Sequence, residues 1–121
     1  MSSKLATRII ATTSSVVLVA LAVGQAGRQQ PVPYPEGYRN WTHVKSMVIQ
    51  KGHPLYDAFG GIHHIYANAQ AMQGYRSKGS FPDGSVIVFD LLEAREEQGA
   101  LVEGARKVVG VMVKDSRRYA S

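Results

Sequence analysis

Ser85-Val-Ile-Val-Phe-Asp-Leu-Leu-Glu93 is a run with almost no solvent-facing position, and the architecture follows from it. Strand alternation sends Ile87, Phe89 and Leu91 to one face, and Val86, Val88, Asp90 and Leu92 to the other. A strand apolar on both faces belongs inside a sheet that is covered on both sides. Downstream, Val109, Val111 and Val113 alternate within Lys107 to Val113, a second strand. The charged, glycine-containing stretch from Arg95 to Ala105 reads as a loop joining the two. Nothing in it looks like a crossover helix, so the strands are expected to pair antiparallel.

Upstream, Phe81-Pro82-Asp83-Gly84 is a turn, in which Pro82 presets its own φ and Gly84 suits the exit. Asn68 is a good N-cap for a helix running to about Arg76, with Ala71, Met72 and Tyr75 on one face. Ile62 to Ala67 is rich in β-branched and aromatic residues, as a strand would be. Leu55 to Phe59 is a short segment before it. Thr42 to Gln50 alternates around Val44, Ser46 and Val48 until Lys51-Gly52-His53-Pro54 stops it. Glu36 to Trp41 can form one helical turn behind Pro35. Near the end, Asp115-Ser116 opens a further helical turn. The expectation is an α+β fold: an antiparallel sheet of about four strands with short flanking helices. Trp41, Ile87, Phe89 and Val111 are expected to share one core between sheet and helix.

The chain has 121 residues, 45% of them hydrophobic, with 14 Lys+Arg against 9 Asp+Glu and no cysteine. One small domain fits this length, and the apolar fraction excludes a disordered tail. The absence of cysteine removes disulfides, thiolate metal sites, thiol nucleophiles and C-x-x-C-H haem attachment. Lys4 and Arg8, an apolar stretch from Ile9 to Val23 and small Gly24 and Ala26 stand in the order of a secretory signal peptide. The apolar stretch is shorter than the roughly 20 residues of a permanent span, so cleavage near Ala26 and export to the periplasm or medium are expected. Residues 27–35, punctuated by three prolines, read as an extended linker, and residues 36–121 as the folded domain. Removing residues 1–26 leaves 12 basic against 9 acidic residues, and these are scattered. No basic stripe with interleaved aromatics emerges, which argues against nucleic-acid binding.

Four stretches together resemble the cytochrome P-460 family: Tyr34 to Ser46, Ile62 to Asn68, Gly74 to Glu93 and Val111 to Ala120. They stand in the family's order and cover essentially all of the expected domain. The resemblance implies an antiparallel sheet flanked by helices, often as a homodimer, with a haem c between the sheet and a C-terminal segment. It implies oxidation of hydroxylamine or binding of nitric oxide. In the family a further strand and C-x-x-C-H follow the turn that opens at Ser116. Neither is present here, so the sheet is expected to be incomplete at its C-terminal end, with no cofactor held by the chain as given. The expected protein is a P-460-type domain, not catalytic by itself, or alternatively a haem-free exported binding or structural module that keeps the same sheet.

The resemblance also sets Lys78 near the place of a lysine that catalytic members cross-link to the haem edge, with Ser77 or Arg76 as alternatives in register. An ordinary solvated lysine near a helix C-terminus is the plainer account. Phe81 is a candidate wall of a haem pocket, or simply core. Asp90 stands among Val86, Val88 and Leu92 on one strand face, which is costly for an acid without a partner. It is therefore either the structural partner of an arginine or a proton-handling group beside a ligand. His63 and His64 are adjacent in a strand and must face opposite ways. His43 and His53 complete no H-x-H or H-x-x-x-H spacing, so no metal site is expected. Asn40-Trp41-Thr42 fits the N-glycosylation sequon, although Trp41 reads as a core anchor. No Ser-His-Asp motif or phosphate-binding glycine loop presents itself.

Overall fold

A computed structural model describes residues 31–77 and 79–119. Residues 1–26, expected as a signal peptide, residues 27–30 of the expected linker, and Lys78 lie outside the described residues. Four strands, β1 (Thr42–Ile49), β2 (Gly61–Ala67), β3 (Val86–Glu97) and β4 (Ala100–Val113), form one sheet in chain order. Every neighbouring pair is antiparallel. Two helices, α1 (Tyr56–Phe59) and α2 (Ala69–Ser77), and a 3-10 turn at Tyr38–Asn40 complete the architecture. The α+β expectation holds.

Register assigns the two faces. His63 and Ile65 on β2, Phe89 and Leu91 on β3, and Val108 and Met112 on β4 share the face on which both helices lie. His64, Tyr66, Val88, Asp90 and Val111 share the opposite face, which Tyr38 covers. From Ile87 to Leu92 every residue of β3 is buried except half-buried Phe89. The doubly apolar run therefore sits in the interior, as its pattern requires. On the helix face Ala67, Ala71 and Ile87 are the buried centre, with Val44, Ile65, Met72 and Phe81 packed around it.

Asn68 holds this arrangement together. Its Oδ1 accepts from Ala71 N at 2.9 Å, capping α2, and from Val86 N at 3.0 Å, while its Nδ2 donates to Gly84 O at 2.8 Å. One side chain thus ties the helix start to the strand entry across 18 residues.

Four expectations need correction. Residues 95–105 are not a loop: β3 and β4 continue as a hairpin to a two-residue turn at Gln98-Gly99, both with positive φ (50° and 80°). Such a turn matches the twist of its strands, and the charges read as loop composition decorate an exposed arm. Trp41, Ile87, Phe89 and Val111 do not share one core. Val111 pairs with Val88 on the face opposite Ile87 and Phe89, and Trp41 is only half-buried. The alternation of β1 is interrupted by a bulge at Val44, which packs toward the helix face while Ser46 pairs beside His64 on the other. In the turn before β3 the bond runs from Ser85 N to Pro82 O at 3.1 Å, so Pro82 rather than Phe81 is its first residue and Gly84, with φ 87°, supplies the left-handed position.

Candidate functional site

The face opposite the helices carries a polar network. Asp90 at its centre is fully buried. The Tyr38 hydroxyl donates to Oδ2 at 2.9 Å, Arg106 Nε donates to Oδ1 at 2.8 Å, and Arg39 Nε stands 3.8 Å from Oδ2. A second bulge places Arg106 there. Leu91 pairs with Val108 but Leu92 with Arg106, so Lys107 is the extra residue and the arginine swings under the acid. Lys107 itself donates to Gly60 O at 2.7 Å. Burial, helped by the bond to Asp90, pushes the Tyr38 hydroxyl up to about 12. Donation to Asp90 holds the Arg106 guanidinium charged beyond its ordinary range, against a smaller opposing effect of burial. Of the two readings of Asp90, this geometry is that of an arginine-paired structural acid.

The network continues outward. Arg39 Nη2 lies 3.6 Å from Glu103, and the Glu103 carboxylate accepts from His64 Nε2. On the other side of that ring His64 Nδ1 meets Ser46 Oγ at 2.6 Å, and His43 Nε2 meets the same oxygen at 2.8 Å. His63, as adjacency in a strand dictates, faces the other way. It is buried, bonded through Nε2 to Phe59 O at 2.6 Å and packed edge-on against Phe89. Among the described residues no group of three or more His, Cys, Asp or Glu is arranged to hold a metal.

The helix face carries a groove of about 460 Å³ between α2 and β4, lined by Tyr75, Phe81, Ile87, Met112, Val113 and Lys114, with Ser85 at its floor. Gly74 lets the Phe81 ring pack against α2, since a Cβ there would come within 2.3 Å of it. Phe81 stands edge-on to Tyr75 with ring centres 5.1 Å apart. Phe81 and Asp90 therefore occupy opposite faces of the sheet and do not meet in one site. The remaining candidate, Lys78, lies outside the described residues. The residues that sequence reasoning missed are Tyr38, Ser46, Glu103 and Arg106, each brought to its partner from 16 to 52 positions away. Their only local signal is the acid on an apolar strand face, which calls for a cation without naming it.

The molecule is thus an α+β protein whose four-stranded antiparallel sheet carries helices and an apolar groove on one face and a locked charge network on the other. The family model for cytochrome P460 matches residues 35–121, and the chain belongs to that family, a haem-binding one. No curated protein matches it significantly. No helix among the described residues is long and apolar enough to cross a membrane. The groove's aromatic and aliphatic lining suits the body of a haem, and the Lys114 ammonium at its edge suits a propionate. The 121 residues include no cysteine, so none of them can form a thioether to it.

Proposed function

We propose that this chain is the sheet platform of an exported cytochrome P-460-type domain, and that its helix-face groove packs a haem. The observation that carries this reading is the apolar groove itself, where Met112 is 59% and Tyr75 41% exposed. Apolar side chains left this open favour an apolar ligand. Phe81, Ile87 and Met112 would pack the macrocycle and exclude water from it, and Lys114 would pair with a carboxylate at its edge. When bound, the haem supplies the iron chemistry of the family, which acts on small nitrogen compounds, hydroxylamine or nitric oxide. Residues 1–26 serve as the signal peptide, residues 27–35 as a linker and residues 36–121 as the domain, in a chain that does not catalyse the family's haem chemistry alone and forms a homodimer.

Haemin titrated into the purified chain should give a saturable Soret shift at about one haem per chain. Met112→Asp should weaken it by at least about tenfold, since a charge then faces the macrocycle. The same sample should show no haem-stained band on a denaturing gel. Absence of saturable binding would favour the second reading, a haem-free exported module keeping the same sheet. One observation speaks for that reading, namely that none of the 121 residues is cysteine.

A further inference from the structure

Ser46 lies on β1 with its hydroxyl between two imidazoles, on the sheet face away from the groove. The hydrogen-bond directions are mutually consistent with a single tautomer of each ring. His64 Nε2–H donates to the Glu103 carboxylate, which leaves Nδ1 as the acceptor for the Ser46 O–H at 2.6 Å. His43 Nε2–H then donates to Ser46 Oγ at 2.8 Å, stabilising negative charge that develops on it. Glu103 is fixed in turn by Arg39 at 3.6 Å. A hydroxyl, a base within hydrogen-bond reach and a carboxylate orienting that base are the three parts of an activated nucleophile. The ring is used in the reverse sense to that of serine proteases, with the acid on Nε2 and the serine on Nδ1. The neutral tautomer supports either sense, because what matters is a lone pair toward the serine and an N–H toward the acid. Ser46 and His43 are exposed, so an electrophile from solvent can reach the oxygen.

We propose that Ser46 is a reactive nucleophile toward small activated acyl and phosphonyl electrophiles, independent of the haem groove. With a fluorophosphonate, Ser46 Oγ bonds to phosphorus, the P–F bond breaks, fluoride leaves and the hydroxyl proton passes to His64 Nδ1. The imidazolium so formed lies against the Glu103 carboxylate. With an activated ester such as p-nitrophenyl acetate, Oγ bonds to the carbonyl carbon, p-nitrophenolate departs with its electron pair, and the hydroxyl proton passes to His64 Nδ1 and from there to solvent, which leaves the imidazole neutral again. Water then cleaves the acyl–Ser46 bond, His64 taking the water's proton and returning a proton to Oγ. Ser46 and His64 are the reacting groups, and Glu103 is a positioning residue.

The test is covalent labelling of the full chain with a fluorophosphonate, read by peptide mass spectrometry, with exposed Ser80 as the internal reference. The Ser46 peptide should label at least about 100-fold faster than the Ser80 peptide, the scale of a positioned general base. Ser46→Ala should abolish that label, and His64→Gln should slow it at least about tenfold while circular dichroism remains that of the parent. The His64 Nε2 proton should resonate far downfield in the parent and lose that shift in Glu103→Gln, and the same folded variant should label Ser46 more slowly than the parent, which the loss of a merely structural carboxylate does not produce. Labelling of Ser46 no faster than Ser80, or unchanged by His64→Gln in a folded variant, overturns the proposal. Haemin binding is read separately, so the two readings stand or fall independently.

Discussion

Asp90 shows how one residue sets conditions on residues far from it. A carboxylate with no exposed surface is tolerable only when its oxygens are satisfied, and Tyr38 and Arg106 satisfy one each. Asp90→Ala leaves the guanidinium and the phenol facing an apolar gap and should cost about 3 kcal/mol or more, whereas Tyr38→Phe, which removes one bond, should cost about 1 to 2 kcal/mol. Urea midpoints of the two variants check this order, and equal losses would contradict it. The phenol makes a further prediction. With its pKa raised from 10.0 to about 12, Tyr38 favours the folded state while protonated. That contribution is complete below pH about 10, the unfolded value, and is lost as pH rises through about 12. Ultraviolet titration of the six tyrosines should show a last phenol ionising near there, absent in Tyr38→Phe. The need for a partner at Asp90 was legible in the strand pattern. Its identity was not, because Arg106 reaches the acid only through a bulge at Lys107 that no local rule specifies.

At the scale of elements, what was legible is what short-range chemistry dictates. β-Branched and aromatic content located β2, period-two alternation located the buried part of β3, and the Asn68 cap located the start of α2. What was not legible is where composition and geometry disagree. Glu93 to Glu97 is polar and exposed yet remains paired to β4, because Gln98-Gly99 closes the hairpin with two left-handed residues. Gln98, at φ 50°, is in a region where asparagine is more at ease than glutamine. Gln98→Asn should therefore stabilise by a few tenths of a kcal/mol, and Gly99→Ala, at φ 80°, should destabilise by about 1 kcal/mol. Thermal melts of the two variants should move in opposite directions. Gly61 is the more severe case: a Cβ there would stand 2.1 Å from Leu92 O, so Gly61→Ala must prise β2 from β3 at their buried junction. It should lower stability well beyond Gly99→Ala.

Across the whole molecule the two sheet faces are closed by different means. Tyr38, Arg39, Asp90, Glu103 and Arg106 lock one with directional bonds, whereas the other relies on two short helices that leave Phe59, Tyr75, Val108 and Met112 at 40%, 41%, 42% and 59% exposure. The last two stand on β4, the sheet edge, beside half-buried Phe89 and buried Ile87. Apolar side chains contiguous over this much surface are unusual in a protein that meets only water. The asymmetry predicts where a hydrophobic dye goes. Dye fluorescence should rise with the folded chain at neutral pH, and Met112→Lys together with Val108→Lys should suppress most of that rise without lowering the melting temperature, since both positions are exposed. Val48→Lys is the matched control: it is 42% exposed, as Val108 is, but pairs with Ile62 on the network face. If Val48→Lys quenched the dye as strongly as the β4 pair, binding would follow total apolar exposure, and the helix face would lose its claim to be the ligand-binding side.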